Sequence, residues 1–224
     1  MSDTQHPLSG RFLVFDGPDG SGKSTQARLL SKALVDKGYN VTSLREPGGT
    51  NLGENLRGIL NDNQRDHIGL TDMSQLYLFL AARAQLVTER IAPVLLEPNN
   101  VIVCDRYMDS TVAYQGYGFG FDIDFIKQAN YHAIGDFKPN LTILIDCPVD
   151  TALARTKSRT GKTSRFETKP NDFHQRVRQG FIKLAKENHD QWRIVDGKLD
   201  EETLSKQILS LALDAINAYD IKIK

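Results

Sequence analysis

Short apolar runs alternate along the chain with longer segments whose apolar positions recur every three or four residues. Arg11–Asp16 (RFLVFD), Val101–Cys104 (VIVC) and Leu141–Ile145 (LTILI) are almost continuously apolar, the pattern of strands buried on both faces. Asn40–Leu44 and Trp192–Val195 read as two further strands. The spacing predicts helices over Thr25–Lys37 (closed by Gly38), Leu52–Leu60, Ile123–Ile134, Thr151–Ser158, Asp172–Asn188 and Glu201–Tyr219. A longer helix is predicted from Thr71 to about Leu96, broken or bent at Pro93. Pro47, Gly48 and Gly49 make a turn, Asn61–Gly69 reads as loop, and so does the Tyr- and Gly-rich stretch after Asp105. Five apolar strands separated by helices predict an α/β fold, a five-stranded parallel sheet flanked by helices. Arg159–Pro170 is polar and basic with no apolar period, so a mobile lid is expected over about residues 155–170. One domain is expected over 11–224, after a flexible polar segment at 1–10.

Composition narrows the classes. The 224 residues carry 28 basic and 28 acidic side chains, a balance that argues against a nucleic-acid-coating protein or a polybasic membrane anchor. The two cysteines, Cys104 and Cys147, lie in apolar runs and read as buried thiols, which suits a reducing cytosol. Met1–Gly10 lacks the basic start and apolar core of a signal peptide. No run approaches the ~18 apolar residues of a membrane helix. A cytoplasmic protein with no nucleic-acid or membrane partner is expected.

The first chemistry lies directly after the first strand. Gly17-Pro18-Asp19-Gly20-Ser21-Gly22-Lys23-Ser24 fits G-x-x-x-x-G-K-[ST], with Thr25 opening the helix, so strand, loop and helix follow in the required order. Glycines let backbone N–H groups converge on phosphate oxygens, and the helix N-terminus adds positive potential. Gly17 to Thr25 are therefore candidate ATP-binding residues. Lys23 is placed to reach the β- and γ-phosphates and Ser24 to bind Mg²⁺. Val101–Asp105 is an apolar strand ending in a carboxylate, and Asp105 is the second candidate metal ligand.

A switch GTPase needs an N-K-x-D segment, which the chain lacks; Asp66-His-Ile-Gly69 matches D-x-x-G by letters only. Arg45, Arg83, Arg106 and the basic stretch near 159 favour phosphoryl transfer to a second small molecule, because arginine holds phosphate bidentately and stays charged.

Asp105-Arg-Tyr-Met-Asp-Ser-Thr-Val-Ala-Tyr-Gln-Gly116 closely resembles the D-R-[YHF]-x-x-S-x-x-A-[YF]-[QS] signature of thymidylate kinases. Arg45-Glu-Pro-Gly-Gly-Thr50 resembles that family's second-strand loop, and Leu78-Phe-Leu-Ala-Ala-Arg83 its nucleobase-pocket helix. With the phosphate loop they occur in family order and spacing, and the resemblance spans Arg11 to the final helix.

The resemblance implies a three-layer P-loop kinase fold, transfer of the γ-phosphoryl of ATP to dTMP with Mg²⁺, and a homodimer formed through long helices. It implies that Phe79 stacks on thymine, Arg83 bonds a thymine carbonyl, and Thr111 and Gln115 line the base edge. Tyr114 would crowd the sugar 2′ position and Asp19 would accept from the 3′-hydroxyl. Arg45 and Arg106 would grip the acceptor phosphate, with Lys23, Arg106 and Mg²⁺ as fixed positive charge. None of Pro18, Asp19, Gly20 and Ser21 is basic, so the resemblance places one more cation in the lid. The candidates are Arg155, Lys157, Arg159, Lys162 and Arg165, with Arg159 first among them. Family lids of this kind often read R-G-x-x-D-R-x-E; Arg159-Thr-Gly-Lys-Thr-Ser-Arg-Phe-Glu167 carries one residue more and Ser164 where the Asp would fall. Two readings compete. One is a different P-loop kinase, acting on another monophosphate or on deoxynucleosides with Glu46 as base; the other is a nucleotide-binding or switch protein without catalysis.

Overall fold

The structure is a computed structural model and describes residues 10–61, 69–158 and 166–223. Strands β1 (Arg11–Asp16), β2 (Asn40–Arg45), β3 (Asn100–Asp105), β4 (Leu141–Asp146) and β5 (Trp192–Asp196) form one parallel sheet in the order β2-β3-β1-β4-β5. Nine helices connect and cover them: α1 (Lys23–Asp36), α2 (Asn51–Asn61), α3 (Asp72–Leu86), α4 (Ala92–Leu95), α5 (Met108–Thr111), α6 (Ile123–Ile134), α7 (Val149–Ser158), α8 (Asn171–Glu187) and α9 (Glu201–Ile223), counted among the described residues.

The unbroken apolar runs follow from burial on both faces. Alternate side chains of a strand point to opposite sides. Leu13 and Phe15 of β1 join Leu30 and Leu34 of α1 and Ile208 of α9 on one face. Phe12 and Val14 join Leu86, Ile91 and Tyr107 on the other. Each such large side chain contributes roughly 1.5–3 kcal/mol by leaving water, so β1 cannot slip by one residue without exposing one set to the wrong neighbours. Edge strand β2 is only partly buried, consistent with its mixed composition.

The chain leaves β1 to build β2 and β3 on one side, then crosses to β4 and β5 on the other. Loops therefore diverge at the carboxyl end of β1, where open α/β sheets bind ligands. The register brings Phe15, Asp105 and Arg45 to one level at that edge.

Two segments depart from the sequence expectation. The predicted single helix after Thr71 is real at its start, where the Thr71 side chain accepts from the Ser74 N–H. It does not simply bend at Pro93. Val87–Ile91 forms a π-helical turn that delivers the chain into α4, with Pro93 in its first turn. Pro93 has no N–H for a carbonyl one turn back and its ring crowds that carbonyl, so the preceding turn widens. The second departure is the Tyr- and Gly-rich stretch expected as loop. It is helical: α5 continues as a π-helical segment, Val112–Gly118. Its apolar side, Val112, Ala113 and Tyr114, is buried against Phe173, Val177 and Phe181 of α8, and that packing outweighs the low helix propensity of its glycines.

Candidate active site

The phosphate loop folds as its glycines permit. Gly17, Gly20 and Gly22 have φ of 141°, 81° and 102°, values L side chains rarely adopt. At Gly20 a Cβ would lie 2.1 Å from the Ala152 carbonyl oxygen, so the loop backbone rests directly on α7. The first turn of α1 has neither a side-chain cap nor an acidic residue, which leaves its N–H groups for an anion. Lys23 is buried and its Nζ donates to the Pro18 carbonyl at 2.6 Å. Burial first, then the Arg106 charge, push its pKa down to about 8. Ser24 Oγ donates to Asp105 Oδ2 at 2.5 Å, while Asp105 Oδ1 is buried without a hydrogen-bond partner among the described residues. No group of three His, Cys, Asp or Glu among the described residues could hold a metal alone. The Ser24–Asp105 pair, two hard oxygens with one lone acceptor beside a phosphate loop, suits a cation that takes its other ligands from phosphate and water.

Arg106 is the junction of the site. It directly follows β3 with φ 73°, a strained backbone for a side chain of this size, and its N–H donates to Phe15 O at 2.9 Å. Nη1 donates to Gly17 O at 3.2 Å and Ser110 Oγ at 3.0 Å. Nη2 donates to Asp19 Oδ1 at 2.6 Å and Tyr114 Oη at 3.3 Å. Tyr114 Oη donates to Asp19 Oδ2 at 2.9 Å. Of the five guanidinium donors only Nε–H is left without a partner among the described residues. Burial acts to raise the Asp19 pKa, but the Arg106 and Lys23 charges outweigh it and hold the carboxyl down at about 2.

The junction is braced from below by an acid that carries no sequence signal as a site residue, with a second buried acid close by. Ser110 Oγ donates to Asp16 Oδ1 at 2.5 Å, and Asp16 Oδ2 has no partner among the described residues. Burial, reinforced by the Asp109 charge, pushes the Asp16 pKa up to about 8. Burial likewise raises Asp109 to about 6.

Beyond Arg106 a cavity of about 780 Å³ brings the predicted residues together. Asp19, Lys23, Ser24, Arg45, Phe79, Arg83, Asp105, Arg106, Thr111, Tyr114 and Gln115 all line it. Arg45 is half exposed and pairs with Glu54 at 2.9 Å. Arg83 is 1% exposed and mostly committed inside the protein. Its Nη2 meets Glu46 Oε2 at 2.5 Å and the Tyr107 carbonyl at 3.1 Å, its Nε meets Glu46 Oε2 at 2.9 Å, and its Nη1 meets Asn130 Oδ1 at 2.6 Å. One Nη1–H remains for a ligand. Burial raises the Glu46 pKa against the pull of Arg83. Both Glu46 oxygens accept from Arg83, so this carboxylate is held in a buried ion pair.

Two further lining residues escape sequence reasoning. Arg57 of α2 donates to Pro47 O at 2.9 Å and adds a third cation beside Arg45 and Arg106. Its only signal is a position three residues after Glu54 on a predicted helix. Phe166, a lone apolar residue in the stretch expected as lid, is buried with ring centroids 5.3 Å from Tyr114 and 6.2 Å from Phe79. Of the lid cations, Arg155 lines the cavity from α7 and its Nη1 donates to Gly197 O at 2.8 Å. Lys157 is exposed near the end of α7. Arg159, Lys162 and Arg165 lie outside the described residues, as do residues 1–9 and Asp66 of the D-x-x-G match.

A phosphate loop, a strand-end carboxylate at its serine, and a second cationic pocket with an aromatic wall define a P-loop phosphotransferase acting on a small phosphorylated acceptor. The thymidylate kinase family model matches residues 15–208. Thymidylate kinase of Geotalea daltonii is 40% identical over 214 residues, covering 93% of this chain and 99% of that relative. Thymidylate kinase of Geobacter sp. (strain M21) is 43% identical over 215 residues, covering 90% and 94%. The crystal structure of thymidylate kinase from Ehrlichia chaffeensis aligns with a TM-score of 0.72 at 34% identity, over 92% of this chain and 99% of that one. The chain belongs to the thymidylate kinase family.

The raised Asp16 pKa has a measurable sign. The folded chain keeps a proton on Asp16 that the unfolded chain, at 3.8, has released. The stability it contributes is fully present below pH 3.8 and is lost as pH rises through about 8. Asp16→Asn keeps the acceptor for Ser110 and cannot ionise. Its melting temperature relative to wild type should climb by on the order of 10 °C between pH 4 and pH 8. A difference that stays flat across that range contradicts the assignment.

Proposed function

We infer that the cavity transfers the γ-phosphoryl of ATP to dTMP, giving dTDP and ADP. The observation that carries this is the Arg106 junction. One guanidinium holds the phosphate loop through Gly17 and Asp19 and the helical segment after β3 through Ser110 and Tyr114, so donor and acceptor sites keep a fixed separation. Positioning of this kind carries most of the catalysis in phosphoryl transfer, where little covalent work falls to the protein.

ATP phosphates occupy the backbone N–H groups of Gly17–Thr25 and the start of α1, and draw Lys23 from the Pro18 carbonyl onto the β- and γ-oxygens. Ser24 and Asp105 would hold Mg²⁺, directly or through its waters, and the bound ion supplies charge neutralisation between the phosphates. The dTMP phosphate meets Arg45, Arg57 and the free Nε–H of Arg106. It is already an anionic nucleophile, so no base is needed, in keeping with a Glu46 occupied by Arg83.

Phe79 stacks on the thymine ring, the remaining Arg83 N–H meets a thymine carbonyl, and Thr111 and Gln115 stand at the base edge. Tyr114 crowds the sugar 2′ position, and its ring is wedged among Phe166, Phe173 and Phe181, so it cannot swing aside for a 2′-hydroxyl. Asp19 already accepts from Arg106 and Tyr114, and a carboxylate retains lone pairs for the 3′-hydroxyl. The lid supplies the last cation over the transferring group, with Arg159 in that role and Phe166 anchoring the lid's far end in the aromatic wall.

Two chains pair through α3 and α6. Met73 and Tyr77, one turn apart on α3, and Phe125 on the adjoining α6 are exposed apolar side chains that such a homodimer would cover. Cys104 and Cys147 are free and buried, as suits the cytoplasm, and no helix among the described residues is long and apolar enough to cross a membrane.

ADP release from ATP and Mg²⁺ with dTMP, dUMP, dCMP, AMP and thymidine as acceptors tests the reaction. Turnover is expected with dTMP, weaker with dUMP. Turnover with thymidine but not dTMP would overturn the acceptor assignment. For the lid, Arg159→Ala should lower kcat about 10³-fold with a smaller change in the KM for dTMP. An unchanged kcat moves the role to Arg155 or Arg165.

A further inference from the structure

Gln75 sits on α3 one turn before Phe79 and is completely buried. Its Oε1 accepts a hydrogen bond from Nε2 of Gln115 at 3.4 Å. Its own Nε2 has no hydrogen-bond partner among the described residues. A buried amide with one end unpaired costs stability, so a leucine would pack on this face more favourably. The glutamine therefore calls for a reason, and its one partner supplies it.

Gln115 lines the cavity beside Phe79 and Thr111. A primary amide donates at one end and accepts at the other. Because the Gln115 amino group is turned toward Gln75, the carbonyl Oε1 is the end left for a ligand, and no donor among the described residues reaches it. Turned over alone, the Gln115 amide would set its carbonyl against the Gln75 carbonyl, so it presents its amino group to the cavity only if Gln75 turns with it and buries its own carbonyl unpaired.

We propose that Gln75 is a positioning residue for base recognition: it fixes the Gln115 amide so that an acceptor, not a donor, meets N3 of the bound pyrimidine. This rests on the cavity being the dTMP site. Thymine and uracil carry a hydrogen on N3 and a carbonyl at C4; cytosine has a bare N3 acceptor and an amino group at C4. An acceptor from Gln115 beside the one free donor of Arg83 complements the first pair and opposes cytosine at both positions. Sites built to hydrogen-bond a polar edge reject a mismatched analogue because buried groups are then left unpaired.

The test compares wild type, Gln75→Leu and Gln75→Glu with dTMP, dUMP and dCMP at saturating ATP. Glutamate keeps an acceptor toward Gln115 Nε2 and lacks the unpaired amide donor, so it should preserve the orientation. Gln75→Leu is expected to raise the KM for dTMP about tenfold, the worth of one hydrogen bond. It should lower the dTMP:dCMP ratio of kcat/KM by about tenfold or more, with kcat and the KM for ATP within about twofold of wild type. Its melting temperature should not fall, since the unpaired amide is gone. Gln75→Glu should stay within about threefold of wild type in both the dTMP KM and the ratio. A Gln75→Leu enzyme with the wild-type KM and ratio overturns the proposal, and so does a folded Gln75→Glu enzyme that loses discrimination as leucine does. If the buried charge unfolds Gln75→Glu, the leucine variant decides alone. A wild-type enzyme that does not phosphorylate dTMP overturns the reading of the cavity, and this proposal with it, before any variant is compared.

Discussion

The Arg106–Asp19 ion pair, at 2.6 Å, links the two halves of this site. On one side is the phosphate loop, whose backbone conformation only glycine adopts easily; on the other is the helical segment that carries Ser110 and Tyr114. Neither half dictates its distance from the other through the sheet alone. Arg106 sets that distance because its planar fork reaches both, and it does so from a left-handed backbone that costs roughly 1–3 kcal/mol. The main-chain bond to Phe15 and four side-chain bonds offset that cost. Removing the guanidinium would leave Asp19, held ionised, without its main counter-charge in a mostly buried place.

A second buried pair repeats the design on the acceptor side. Arg83 and Glu46 join α3 to the end of β2, and the same guanidinium reaches Asn130 of α6 and the Tyr107 carbonyl. Such pairs contribute little net stability, because desolvation cancels most of the attraction. Their value here is geometric: the pocket wall stays put, and a single N–H of Arg83 is left over at the cavity. The cavity wall is thus assembled from side chains that are nearly saturated by the protein, each with one group left over. Arg106 keeps its Nε–H, Arg83 one Nη1–H, Asp105 one oxygen and Gln115 its carbonyl.

Much of this was legible in the sequence. Unbroken apolar runs marked the strands to within a residue at either end, because a parallel sheet buried on both faces tolerates little else. The phosphate loop and the run from Asp105 to Gly116 were legible because catalysis fixes residue type and spacing together. The helix over 108–118 was not, since its glycines and tyrosines read as loop and only packing against α8 holds it helical. Arg57, Phe166 and Asp16 were hidden for a related reason. Each is an ordinary residue locally and joins the site only through tertiary contact. Arg83 and Glu46 were visible as singletons but not as a pair, being 37 residues apart. Gln75 carries no local signal, because its partner lies on another element.

The most direct measurement is steady-state turnover of Arg106→Lys with ATP and dTMP, beside its melting curve. Lysine keeps the charge but cannot bridge Gly17, Ser110, Asp19 and Tyr114 at once. If the junction sets the spacing of the two sites, kcat falls by about 100-fold or more and the KM values for ATP and dTMP both rise, while the chain remains folded. A kcat within about threefold of wild type, or a loss confined to the KM for dTMP, would mean that Arg106 only holds the acceptor and that something else fixes the two sites relative to each other.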